Sequence, residues 1–295
     1  MNPVLILNSI LALIVAIGTV YLVKDLIKNK KTLNGGKAIV ISAIGLVTNF
    51  FDALGIGNFA PTTSALKLTK TCDDKNIPGT LNVGYMIPVA LEGFIFMNAI
   101  QVAPITLITM IASAMLGANI GAGIVAGLPV KQIRIGMGCA LLIVATIMVL
   151  QMAGIFPSGG DAIGLIGIKL IIGIVVNFIL GALMTIGIGM YAPCMALIYS
   201  LGLSPAVAFP VMFGSCAFLM PTAAIKFIKN DAYDRKATIF LCLSGIVGII
   251  IATTIITSLP LFWLKILVSV VVTYTGIIML RDGIKKKMII AESIA

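Results

Sequence analysis

Nine stretches of this chain are apolar over lengths close to or beyond what a lipid bilayer requires, and its charges fall almost wholly between them. They cover residues 4–23, 38–66, 81–100, 105–128, 133–153, 170–200, 205–222, 238–258 and 261–280. About 20 apolar residues cross a ~30 Å hydrocarbon core as a helix. In lipid a helix satisfies its own backbone, so such runs read as helices rather than loops or open sheets. The composition agrees: 60% of residues are hydrophobic and 10% charged, against about 25% charged in a soluble domain. The sequence predicts an all-α membrane protein, and the first run reads as a retained helix, not a cleaved leader.

Two of the nine runs are broken, and the breaks match. Gly55-Ile56-Gly57-x-x-Ala60-Pro61 recurs as Gly187-Ile188-Gly189-x-x-Ala192-Pro193, an offset of 132. Lys37 and Lys169 keep that offset, as do Phe59 and Tyr191. At an offset of 131, Leu128-Pro129 matches Leu259-Pro260, Gly117 matches Gly248, and Arg134 matches Lys265. Ordered matches in Gly and Pro at nearly constant offset point to a duplication. The expected organisation is a first helix and basic loop (1–37), a first repeat (38–153), a second repeat (163–282) and a tail (283–295).

Charge sets the relative direction of the repeats. Lys and Arg favour the cytoplasmic side of a membrane. If each broken run is a hairpin entering and leaving on one side, 18 of the 20 Lys and Arg residues gather on one face, leaving Lys169 and Lys265 opposite. If each crosses fully, the best split is 14 against 6. The hairpin arrangement makes the repeats inverted. It gives about seven full transmembrane helices plus two interrupted hairpins, with the N-terminus outside and the C-terminus in the cytoplasm of a cell-membrane protein.

Matched broken helices are the strongest sequence pointer to a transporter site. Proline favours the first helical position, so Pro61 and Pro193 are expected to start two short helices near the membrane midplane. Helix N-termini offer unpaired N–H groups and partial positive charge, a ready anion site. The predicted substrate site is Gly55, Gly57, Asn58, Ala60, Pro61, Thr62 and Thr63 with Gly187, Gly189, Tyr191, Pro193 and Cys194. Ser64 and Tyr199 stand near the same breaks. Asp52 and Glu92 are the acidic residues well inside apolar runs and the candidates for ion coupling. Asn49, Asn82, Asn98, Asn119 and Asn177 read as inter-helix hydrogen-bonding residues, and Gly117-x-x-x-Gly121 as close helix packing.

Several functions are poorly supported. The net charge of +10 is explained by topology rather than nucleic acid. The chain has no histidine, and its five cysteines form no C-x-x-C pair, so imidazole bases, His-ligated metals and zinc knuckles drop out. There is no Walker motif and no βαβ context for a dinucleotide fingerprint. No cofactor or metal is expected, and the protein is not read as an enzyme. The partners are a small anion and the bilayer, with homo-oligomer formation left open. A channel, or an enzyme using Asp52 with Glu92, are the competing classes.

The run Phe50-Phe51-Asp52-Ala53-Leu54-Gly55-Ile56-Gly57-Asn58-Phe59-Ala60-Pro61-Thr62-Thr63 resembles the first-half signature of the TauE/SafE permease family. Ile77-Pro78-Gly79-Thr80-Leu81-Asn82-Val83-Gly84, Gly187-Ile188-Gly189-Met190-Tyr191-Ala192-Pro193 and Leu201-Gly202-Leu203-Ser204-Pro205 extend the resemblance over about residues 38–282. It implies a secondary transporter, usually an exporter, of sulfur-containing anions or small organic acids such as sulfite or sulfoacetate.

Overall fold

The protein, seen in a computed structural model, is described over residues 3–29, 37–155, 159–187, 189–255 and 261–292. Ile188, Leu259, Pro260 and residues 30–36 of the basic loop lie outside the described residues. The helices in chain order are α1 (Pro3–Lys28), α2 (Ala38–Ala53), α3 (Phe59–Thr69), α4 (Ile77–Gly84), α5 (Met86–Ala99), α6 (Pro104–Ala126), α7 (Val130–Met152), α8 (Gly167–Met184), α9 (Tyr191–Ser200), α10 (Ala208–Lys229), α11 (Arg235–Ile255) and α12 (Leu261–Glu292). Seven are long and apolar enough to cross a membrane, and many of their large apolar side chains face outward, as lipid requires. The all-α membrane architecture is as the composition implies.

Two departures concern element boundaries. The run 81–100, expected as one straight span, is two helices meeting at Tyr85 with a 47° bend. Pro88 explains it: it has no N–H for the Gly84 carbonyl, and its ring crowds that carbonyl. At the other end of the chain α12 continues past residue 282 to Glu292.

Polar contacts define the two faces of the bundle. On one, Arg235 pairs with Asp25 at 2.6 Å, Lys67 and Arg134 both pair with Asp74 at 2.7 Å, and Lys67 reaches Asp282 at 2.9 Å. The Asp234 amide donates to Thr80 Oγ1 at 2.9 Å, joining these groups. Basic segments distant in sequence thus meet on a common face. On the other, Asn8 donates to Asn98 at 3.2 Å, the Ala103 amide to the Ile163 carbonyl at 2.8 Å, and the Ser204 amide to the Ala162 carbonyl at 2.8 Å.

Each broken run turns back. Lys37, at the start of α2, donates its ammonium to the carbonyls of Thr69 and Lys70 at the end of α3, at 2.8 and 3.1 Å. Lys169, in the first turn of α8, donates to the Leu201 carbonyl just after α9, at 3.1 Å. Donors and acceptors, 37 with 69 and 169 with 201, both keep the 132-residue offset. The first hairpin hangs from the basic face and the second from the opposite face. Their arms are unequal: 16 and 11 residues in the first, 18 and 10 in the second. At about 1.5 Å per residue the short arms reach about 15 Å, a length equal to half of a ~30 Å core.

The halves interlock through small residues. A Cβ on Gly117 of α6 would strike the Phe178 carbonyl of α8, and one on Gly248 of α11 would strike the Leu46 carbonyl of α2. Each long hairpin arm therefore lies backbone-to-backbone against a helix of the other half, where small residues permit close approach. Gly117→Leu should cost about 2–3 kcal/mol by overpacking and lower the melting temperature of the detergent-solubilised protein by several degrees. Gly123→Leu on the same helix, where nothing lies within 4 Å of the added carbon, should melt like the parent.

Candidate functional site

The tips of the two hairpins meet. In the first, Gly55 and Gly57 both have φ of 90°, a conformation open to glycine and strained for other residues. In the second, Gly187 has φ of 106°. Gly189 lacks a positive φ and serves closeness instead: its added Cβ would lie 3.6 Å from the Phe59 Cβ. Reciprocally, an added Cβ on Gly57 would lie 3.4 Å from the Tyr191 Cβ. Gly57 pairs with Tyr191 as Gly189 pairs with Phe59, each offset by 132, so the tips cross about a local pseudo-twofold axis. Tyr191 breaks the symmetry, because its hydroxyl occupies the room left by Gly55.

Pro61 and Pro193 stand at the third helical positions, two residues later than expected. The caps are Asn58 and Met190, and the first helical bonds run from Thr62 N to Asn58 O and from Cys194 N to Met190 O, both at 3.0 Å. The first four amides of a helix have no intrahelical partner, so proline at the third position still forfeits no helical bond. The amides of the first two helical residues remain at each tip.

A cavity lies where the tips meet. Gly57, Asn58 and Phe59 line it from the first hairpin, Gly189, Met190 and Tyr191 from the second, and Asp52 and Met184 from the long arms. Val89 of α5 and Met212, Phe213, Cys216 and Met220 of α10 complete the wall. About 20 Å³ is open to a water's centre, room for about one water molecule. A smaller cavity of about 10 Å³ on the far side of the contact is lined by Ala60, Pro61 and Ala192 with Val144 and Met148 of α7. Cys216 Sγ lies 3.6 Å from Met184 Sδ and 3.8 Å from Met190 Sδ, making part of the main wall sulfur-rich.

The predicted residues separate into groups. Gly57, Asn58, Gly189, Tyr191 and Asp52 line the main cavity, while Ala60 and Pro61 line the smaller one. Gly55, Gly187 and Pro193 shape the tips without lining the main cavity. Thr62 turns aside, its hydroxyl 3.0 Å from Thr48 Oγ1 and 2.7 Å from the Tyr85 hydroxyl, which is itself 3.0 Å from Thr48. This buried triad ties both hairpin arms to the α4–α5 bend. Thr63 and Ser64 are buried with hydroxyls that lack a partner, and Cys194 is fully buried. Asn58 donates to Asn49 Oδ1 at 3.1 Å, and Asn177 joins α8 to Met110 O at 2.7 Å and Ser215 Oγ at 3.1 Å, the inter-helix role expected of such amides. Glu92 on α5 is fully buried, and both its carboxyl oxygens lack a donor. Asp52 and Glu92 lie within interaction range of each other.

The sulfur and aromatic wall of α10 was not anticipated. Met212, Phe213 and Met220 belong to a helix buried on nearly all sides, where periodicity does not single out a cavity face. Among the described residues no group of three or more His, Cys, Asp or Glu is arranged to hold a metal.

The family model described as Sulfite exporter TauE/SafE matches residues 169–293, from the first turn of α8 through α12. No curated protein and no solved structure matches the chain.

Proposed function

We propose that this chain, by its second half a member of the TauE/SafE family of membrane permeases, is a secondary transporter that binds a small anion between the hairpin tips. One observation carries the reading: two helix N-termini, one from each hairpin, converge on one cavity. Their free amides and dipoles favour negative charge without a buried Lys or Arg. The sulfur-rich wall is polarisable, which suits a soft anion such as thiosulfate. Positive-inside charge puts the basic face in the cytoplasm.

A carrier is favoured over a channel by the tightness of the site. The cavity has room for about one water, and each face is bridged by contacts between distant segments, as an occluded carrier requires. The test is counterflow in proteoliposomes preloaded with sulfite, thiosulfate, a sulfonate or a short carboxylate. Saturable exchange of at least one sulfur-containing anion is expected. Large unitary currents, or no exchange of any of the four, would overturn the proposal.

A further inference from the structure

The cavity that would hold the anion already holds a carboxyl. Asp52 lines its wall with 5% exposure, close enough to the Asn58 backbone at the start of α3 to feel it. The carboxyl thus shares the cavity wall with the N-terminus of α3, one of the two positions available to a substrate anion. The equivalent position in the second half is Met184, so the N-terminus of α9 carries no such group.

Behind Asp52 lies Glu92, with 0% exposure. Among the described residues neither Glu92 oxygen has a hydrogen-bond donor, and the Asp52 carboxyl is near enough to act on it. Two carboxylates have only acceptors to offer each other, so a hydrogen bond between them needs a proton. Two adjacent buried negative charges without a cation repel strongly, and such pairs hold a proton in common. The other titratable groups that feel the pair are Tyr85 at the α4–α5 bend, Tyr191 on α9 and Cys216 on α10. None is cationic, and among the described residues no Lys or Arg acts on either carboxyl.

We propose that Asp52 and Glu92 form a proton-carrying pair that holds one proton at rest and takes up a second when the anion binds, making the protein a proton–anion symporter. This rests on the permease reading and adds its coupling ion. The second proton comes from the aqueous phase and forms an O–H bond on the remaining carboxylate. With that charge removed, an anion can take the α3 position, and the neutral acid can donate to it. When the anion leaves, the O–H bond breaks and the proton departs to the same side. Binding of each then favours binding of the other, as linkage requires. Coupling of this sign lets an inward proton gradient draw the anion inward.

The test has two arms. Infrared difference spectra of the reconstituted full chain across a pH step read the protonated-carboxyl C=O stretch without any substrate. A band should be present at neutral pH and lost in Glu92→Gln, with Asp52→Asn as the second variant. Its absence from the parent protein would overturn the proton pair. The second arm follows radiolabelled thiosulfate, which stays anionic across this range. An inside-alkaline gradient should drive accumulation, and Glu92→Gln should lose at least tenfold of it while retaining measurable counterflow. Parent-like accumulation by Glu92→Gln, or accumulation that follows a sodium gradient and ignores the proton gradient, would overturn the coupling. If the parent moves no thiosulfate even in counterflow, the permease reading suffers for that anion, and the infrared band alone decides the proton site.

Discussion

Gly57→Val is expected to lower anion exchange by at least 100-fold while leaving the protein folded. Two costs coincide at this position. Valine at a φ of 90° sits in a region that β-branched residues avoid, costing about 1–3 kcal/mol. Its Cβ would also lie 3.4 Å from the Tyr191 Cβ, leaving little room for two further methyl groups between the tips. The chain relieves both by pushing the tips apart, which displaces the amides meant to face the anion. A shift of about 1 Å in a positioned group can cost 100-fold in rate. Because Gly57 lies in the break and not in a helix, the protein should stay folded, with melting in detergent lowered only by the few degrees that this strain implies. Gly57→Ala should lose less, since it adds strain without the methyl groups. Gly55→Ala offers an internal check, because its Cβ meets the Tyr191 hydroxyl. Tyr191→Phe should therefore restore part of the Gly55→Ala loss, a coupling read by a double-mutant cycle. Pro61→Leu should be far milder, since an amide at the third helical position needs no helical partner. Parent-like exchange by Gly57→Val, measured as thiosulfate counterflow, would place the site elsewhere.

These expectations show which parts of the fold are written locally. The breaks at Gly55 and Gly187 were legible because glycine and proline state backbone requirements directly, and because each occurs twice. Inversion was legible because the distribution of Lys and Arg responds to topology. The bend at Tyr85 was missed because Pro88 sits in an otherwise uniform apolar run, and proline in a membrane helix can be accommodated without a break. The short second arms were legible too, because each break falls nearer the end of its apolar run than the start. For the candidate site, the glycine tips are legible in the sequence and the cavity walls are not. Met212, Cys216 and Met220 on α10 are ordinary core residues by type, and only packing makes them a cavity surface. Asp52 stood out as an intramembrane carboxylate, yet its placement beside Glu92, 40 residues away in sequence, depends on how α2 and α5 are brought together.

Asp74→Asn is expected to open the basic face beneath the first hairpin. Asp74 Oδ2 accepts both Lys67 Nζ from α3 and Arg134 Nε from α7 at 2.7 Å, and Lys67 continues to Asp282 on α12 at 2.9 Å. Asp74 thus fastens the free end of the hairpin to α7, while Lys67 itself ties it to α12. The Asp74 side chain is only 9% exposed, against 15% for Lys67 and 25% for Arg134. Removing one partner of a buried pair costs about 3–5 kcal/mol, and the partial exposure here reduces that to about 1–3 kcal/mol. Asparagine keeps the shape but offers a neutral oxygen to two cations, so states in which α3 swings away gain population. Cys72, three residues past the end of α3, reports it. The thiol is buried, with Sγ 3.5 Å from Thr80 Oγ1, and burial pushes it up to about 12. The thiolate is the reactive form, so at neutral pH the closed protein should label slowly. Opening both exposes the thiol and returns it toward its ordinary value near 8.5. In a Cys139→Ser background, Asp74→Asn should raise labelling of Cys72 by a membrane-impermeant maleimide at least tenfold, the factor that about 1.4 kcal/mol supplies. Arg134→Gln leaves Lys67 bridged to Asp74 and Asp282 and should raise it less. Unchanged labelling in Asp74→Asn would mean that the network is not what holds the hairpin against the basic face.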